Sequence, residues 1–135
     1  MKVTCNLFTY GTLMVPEVMY HVTGGQYLAK PVTLHGYARY RIRDRVYPGV
    51  IPEHGSCVEG ILYAGIDRKT LRRIDEFESD DYQRGRIKVI DSDGNNLDAW
   101  CYIISPGKRF MLSGCDWNAE EFRTKHLQAY LRRIP

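Results

Sequence analysis

Long apolar runs are missing from this sequence. No stretch approaches the roughly 20 consecutive apolar residues that a membrane-spanning helix needs, so no membrane partner is expected. The opening residues, MKVTCNLFTYGTL, carry neither the uninterrupted apolar core nor the small-residue cleavage site of a secretion signal. Paired cysteines are missing as well, because Cys5, Cys57, Cys101 and Cys115 are scattered without a CxxC pair. Free, largely buried thiols in a reducing, cytoplasmic compartment are the expectation. His21, His35, His54 and His126 show no metal-ligand spacing, which argues against a zinc site. A dominant charge is also absent, the net value being +3. Without a dense aromatic-basic stacking motif, nucleic acid is not expected as a partner. Arg39, Arg41, Arg43 and Arg45 alternate and could share one strand face. A solvated face is their first reading and a basic rim attracting anionic metabolites the second.

What is present describes an ordinary globular chain of 135 residues, 44% apolar and 26% charged. That is the modal size of one domain, and residues 1–135 are read as a single domain with one core. The ten tyrosines are a mild excess, and tyrosine suits the half-wet walls of pockets and interfaces. Exposed tyrosines and the arginine strand could support a homodimer, although no pattern demands one.

Periodicity predicts a first strand in which Val3, Cys5 and Leu7 alternate with Thr4, Asn6 and Phe8. VPEVMYHV opens a short helix with Pro16 in its first turn. PVTLHGYARYRI reads as a strand bending at Gly36. RVYPGVIPEHGS, punctuated by Pro48, Gly49, Pro52 and Gly55, reads as loop and turn, and CVEGILYAGI as another strand. Asp67 can cap a helix through DRKTLRRIDEFE, whose apolar stripe is Ile66, Leu71, Ile74 and Phe77. YQRGRIKVI and LDAWCYII flank DSDGNN, an Asp-Gly turn signal that makes a β-hairpin. Asn118 and Glu121 resemble a capping box, with Trp117 stapled onto Phe122, ahead of a helix built on Phe122, Leu127, Tyr130, Leu131 and Ile134. The fold class is therefore α+β: a mixed, strongly curved sheet forming a partial barrel with two to three flanking helices.

Two segments can carry chemistry. Tyr10-Gly11-Thr12-Leu13 leaves a buried strand, and amides at such a turn can converge on a carboxylate or oxyanion. On pattern alone a tight turn is the stronger reading, by roughly two to one, since short glycine motifs are weak signals. In IDEFESDDYQR, Asp75, Glu76, Glu78, Asp80 and Asp81 crowd a helix C-terminus. The dipole and like charges there raise the proton affinity of any partly buried member, as a general base near neutral pH requires. Pattern alone does not single out one carboxylate, but Glu78 lies where helix yields to loop.

FTYGTL, YPGVIP, VEGILYAG, LRRIDEFESDDYQR and a late W-N-A-E-E-F-R-x-x-H-L-x-x-Y together resemble the γ-glutamylcyclotransferase-like superfamily. The nearest branch is that of small proteins related to plant avirulence-induced proteins and γ-glutamylamine cyclotransferase. The resemblance runs in order from Leu7 to about Tyr130. It implies that Tyr10, Gly11, Thr12 and Leu13 bind a γ-glutamyl head group, that Glu78 is the catalytic general acid/base, and that Tyr82, Tyr47 and Pro48 line the pocket. It also implies conversion of a γ-glutamyl amine or peptide to 5-oxoproline and free amine, without metal or organic cofactor. A binding module that holds a glutamate-like metabolite is the main alternative. Others are a related acyltransferase or amide hydrolase, and a structural pairing of Tyr10 with Glu78 across the core.

Overall fold

A computed structural model describes residues 3–135. Five strands, β1 (Thr4–Thr9), β2 (Ala29–Arg41), β3 (Pro48–Asp67), β4 (Tyr82–Asp91) and β5 (Asn96–Ile104), form a closed barrel in the order β1-β3-β2-β4-β5. Neighbours are antiparallel except β1 and β5, whose parallel pairing at Leu7↔Trp100 completes the circle. The mixed, strongly curved sheet expected from sequence is present, and it closes further than a partial barrel.

The hairpin β4–β5 follows its turn chemistry. Gly94 takes φ 83°, and Asp91 accepts hydrogen bonds from the amides of Asp93 and Asn95 at 3.0 and 2.9 Å. Lys30 adds an ion pair at 3.0 Å, and the Asn95 and Lys30 bonds hold the Asp91 carboxyl down at about 2. Ile87 and Val89 turn into the barrel while Arg86 and Lys88 face outward, the alternation expected of a half-buried strand.

Residues 48–55 correct the sequence reading. They are not loop and turn but the first part of β3, which runs unbroken for 20 residues. Pro48 stands at the strand's first position, where no ladder donor is lost. Opposite it, β2 passes from His35↔Cys57 to Tyr37↔Pro52, so residues 53–56 bulge out of the ladder. Gly36 and Gly55, at φ 84° and 86°, absorb the bend. Proline and glycine therefore mark a bulge here. The arginine run is corrected too: β2 ends at Arg41, so Arg43 and Arg45 lie in the following turn and share no strand face with Arg39.

Helix α1 (Pro16–Thr23) starts on Pro16 and ends at Gly24 in the left-handed conformation. Helix α2 (Arg68–Glu78) starts where Asp67 Oδ1 accepts the Thr70 amide at 2.8 Å, and it buries Leu71 and Ile74. The C-terminal helical run comprises α3 (Ala119–Glu121), a π-helical turn (Phe122–His126) and α4 (Leu127–Arg133). Asn118 caps it by accepting the Glu121 amide at 2.8 Å, and the Trp117 ring lies 5.8 Å from that of Phe122. These helices close one core with Leu7, Met19, Ile66, Ile74 and Tyr102, while Phe8, Leu34, Val50 and Val89 fill a second inside the barrel.

The thiols depart from expectation. Cys101 is buried and Cys5 half-buried, but Cys57 and Cys115 are exposed; all four are free. Among the described residues no helix is long and apolar enough to cross a membrane, and no cluster of His, Cys, Asp or Glu could hold a metal ion.

Candidate active site

Strand β1 delivers its end to the barrel mouth. Thr9 Oγ1 donates to the Ile61 carbonyl at 2.8 Å, and the buried Tyr10 donates its hydroxyl to the Tyr102 carbonyl at 2.6 Å. The chain then makes a single 3-10 turn, Thr12–Met14, in which Met14 and Val15 amides bond back to Gly11 and Thr12 carbonyls. The turn's outward carbonyls are occupied: Arg39 donates to Tyr10 at 2.9 Å and Tyr63 to Leu13 at 2.8 Å. The amides of Thr12 and Leu13 open this turn, so they have no intrahelical acceptor. Glycine is required at position 11 because a Cβ there would sit 2.8 Å from the Pro48 ring.

Helix α2 delivers the acid. Its last residue is Glu78, followed by Ser79 at φ 64° and ψ −174°, a region that non-glycine residues occupy only when the surroundings enforce it. The neighbouring carboxylates are sorted by contacts. Asp75 pairs with Arg84 at 2.8 Å, Asp81 lies 3.5 Å from Lys108, and Glu76 and Asp80 are exposed. Glu78 makes no ion pair or hydrogen bond with a described residue. Burial, followed by the charge of Asp75, pushes its carboxyl from the ordinary 4.5 up to about 8. Desolvation therefore leads, where like charges and the helix dipole were expected to. The side chain keeps some accessible surface, which belongs to the cavity it lines.

That cavity has a volume of about 480 Å3 and is lined by Tyr10, Gly11, Thr12, Leu13, Tyr47, Pro48, Glu78 and Tyr82, every candidate from the sequence. Tyr10 does not pair with Glu78, so the structural reading of the two is set aside. Tyr82 donates to the Pro48 carbonyl at 2.7 Å, which ties β4 to the start of β3 behind Gly11. The Tyr47 ring lies 6.4 Å from that of Tyr130.

Sequence reasoning missed Tyr102 and Tyr130 as wall residues. Tyr102 donates to Asp75 Oδ1 at 2.6 Å, and the Tyr130 hydroxyl lies 3.3 Å from Thr12 Oγ1. Burial raises Tyr10, Tyr82 and Tyr102 well above the ordinary tyrosine range and Tyr130 to about 12, and the Glu78 charge adds to each. The tyrosine excess was the available signal, but it names no positions. Because the phenol protons of Tyr10, Tyr82 and Tyr102 go to other acceptors, none stabilises an ionised Glu78. At the mouth stand Asp44, Arg45, Glu76 and Arg133. Trp117 Nε1 anchors the loop that carries Asp44 and Arg45 by donating to the Val46 carbonyl at 2.7 Å.

A sequence profile described as "Gamma-glutamyl cyclotransferase, AIG2-like" matches residues 7–119, a span that holds the Tyr10–Leu13 turn, Glu78 and Tyr82. The chain belongs to this γ-glutamylcyclotransferase family. Among its relatives is the Arabidopsis thaliana AIG2-like protein D, 30% identical over 129 residues that make up 94% of this chain and 84% of that protein. The fold recurs in a solution structure from Arabidopsis thaliana, with TM-score 0.75 at 24% identity over 98% of this chain and 80% of that one. It recurs also in a solved γ-glutamyl cyclotransferase, with TM-score 0.67 at 14% identity over 98% and 89% of the two chains.

Proposed function

We propose that this member of the γ-glutamylcyclotransferase family converts a γ-glutamyl amine or peptide to 5-oxoproline and the free amine. The observation that carries the reading is one cavity lined both by a desolvated, unpaired carboxyl at Glu78 and by the turn after Gly11, whose first amides have no intrahelical acceptor. A buried acid held near 8 is well matched to an α-ammonium group, and little in the fold alone calls for it.

The reaction needs folding more than force. The substrate's α-amine can reach its own side-chain carbonyl and close a five-membered ring, so orienting it supplies much of the rate. The ionised form of Glu78 takes a proton from the α-ammonium. The freed nitrogen attacks the γ-carbonyl carbon, and Glu78 gives that proton to the departing nitrogen as the carbon–nitrogen bond to the amine breaks. The ring nitrogen sheds its second proton through Glu78 to the released amine, which leaves as its ammonium. Thr12 and Leu13 amides hold the α-carboxylate or the developing oxyanion. Tyr10, Tyr47 and Tyr82 wall off the head group, and the mouth receives the amine half. A cavity of about 480 Å3 is of the size that takes small metabolites.

The test is to screen γ-glutamyl amines and γ-glutamyl dipeptides for 5-oxoproline release, with Glu78→Gln as the control. The expected result is turnover that the substitution reduces by at least 100-fold. Tight binding of γ-glutamyl compounds without any turnover would make the cavity a binding module. Release of glutamate instead of 5-oxoproline would make the protein an amide hydrolase.

A further inference from the structure

Asp75 lies one helical turn before Glu78 and is the most heavily engaged carboxylate of the acidic segment. Its Oδ1 accepts from Arg84 Nε at 2.8 Å and from the Tyr102 hydroxyl at 2.6 Å, and its Oδ2 from Arg84 Nη2 at 3.3 Å. Arg84 belongs to β4 and is itself braced, its guanidinium lying 4.3 Å from the centre of the Trp100 ring on β5. Tyr102 belongs to β5, and its own carbonyl receives the Tyr10 hydroxyl at 2.6 Å. An unbroken chain of contacts thus runs from the end of α2 through β5 to the turn after β1. It connects the two halves of the cavity by a route that sequence distance hides.

We propose that Asp75 is a positioning residue for Glu78: clamped by Arg84 and Tyr102, it fixes the last turn of α2 against β4 and β5 and presents a carboxylate beside the cavity carboxyl. The proposal rests on reading Glu78 as the proton-handling group. The groups facing Glu78 are Asp75 from its own helix, Tyr10 from the exit of β1, Tyr82 from β4, Cys101 and Tyr102 from β5, and Tyr130 from α4. Asp75 is the one carboxylate among them. A burial effect common to the whole site makes Glu78 hard to ionise; Asp75 supplies the part that a single side chain can adjust. Arg84 limits that part by pairing with Asp75. An electrostatic coupling requires that removing Arg84 and removing Asp75 move Glu78 in opposite directions, which a purely mechanical brace would not do.

The experiment follows the Glu78 carboxyl directly by 13C NMR in protein labelled at the glutamate side-chain carboxyls, titrated from pH 5 to 10. Its signal is identified by loss in Glu78→Gln. No substrate is needed, so a chain that releases no 5-oxoproline is tested equally well, and the two readings fail separately. Asp75→Asn keeps the size and an acceptor for Tyr102 but removes the charge. The Glu78 midpoint should fall by on the order of one pH unit, the scale of a like-charge effect at one helical turn. Arg84→Gln should move it upward. Tyr102→Phe, which leaves every charge in place, should move it by no more than a few tenths. A midpoint unmoved in Asp75→Asn, with the fold retained, overturns the proposal. If that variant does not fold, Arg84→Gln decides: an upward shift supports the proposal, and an unmoved or falling midpoint overturns it.

Discussion

Replacing Glu78 by glutamine should stabilise the protein, and by an amount that depends on pH. The native carboxyl binds its proton with a midpoint of about 8 rather than the ordinary 4.5. Between those values the folded state holds a proton that the unfolded state has released. Stability then falls as pH rises through that window, because the unfolded chain binds fewer protons there. At pH 5 the folded carboxyl keeps its proton while the unfolded one is about three-quarters ionised, so only about 0.8 kcal/mol of the offset has yet appeared. At pH 8 the wild-type fold must either retain a proton against solution or ionise a desolvated group. With about 1.4 kcal/mol per pH unit, the full offset makes the difference grow by about 3.5 kcal/mol from pH 5 to pH 8. Cavity water solvating the ionised carboxylate reduces this, and growth of about 2 kcal/mol is expected. Urea denaturation of both proteins at half-unit pH steps measures it directly, since every other titrating group is shared and cancels. An equal stability difference at pH 5 and pH 8 would refute the desolvated acid, and with it the proton-transfer reading of Glu78.

Activity should carry the same signature: kcat/KM rises with pH on a limb near 8, whereas the kcat limb lies lower, because a bound α-ammonium favours the ionised form of Glu78. A kcat/KM flat from pH 6 to 9, once substrate ionisation is accounted for, would contradict it. Gly11→Ala places a Cβ 2.8 Å from Pro48 Cδ, so the turn must shift. We expect a loss of about 1–3 kcal/mol in urea denaturation and a raised KM; unchanged kinetics would mean that the turn does not touch substrate. Ser79→Gly releases a backbone held at φ 64° and ψ −174° and should add about 1–2 kcal/mol of stability while lowering kcat, as Glu78 loses its fixed approach. Lower stability in that variant would show that Ser79 is not strained.

The elements legible in the sequence are those whose signals are local. The β4–β5 hairpin is announced by Asp93-Gly94 between alternating strands, and both long helices by their caps, Asp67 and Asn118. Residues 48–55 were illegible for a physical reason: proline and glycine punctuate a bulge and a loop alike, and only the facing strand decides between them. The site divides in the same way. Tyr10–Leu13, Glu78 and Tyr82 stand in short motifs that carry the family resemblance. Tyr102 and Tyr130 reach the cavity only because the barrel closes, through contacts 92 and 118 residues apart in sequence. No window along the chain contains such a pairing.

The costs in this fold are not evenly spread. A carboxyl withdrawn from water, a serine in a glycine conformation and a glycine whose Cβ would meet Pro48 all line the same cavity. A barrel that served only as a scaffold would gain from replacing each of the first two, and one substitution suffices for each. Glutamine fills the space of Glu78 without its desolvation cost, and glycine fits the angles of Ser79. Unfavourable local choices persist where function needs them, while the surrounding hairpins, caps and cores follow their propensities. Clustered at Glu78 and absent from the β4–β5 turn, which keeps its preferred residues, they separate the reacting end of the barrel from the end that holds it together. The substitutions at Glu78 and Ser79 should therefore gain stability and lose turnover together, and a variant that gained both would break the argument.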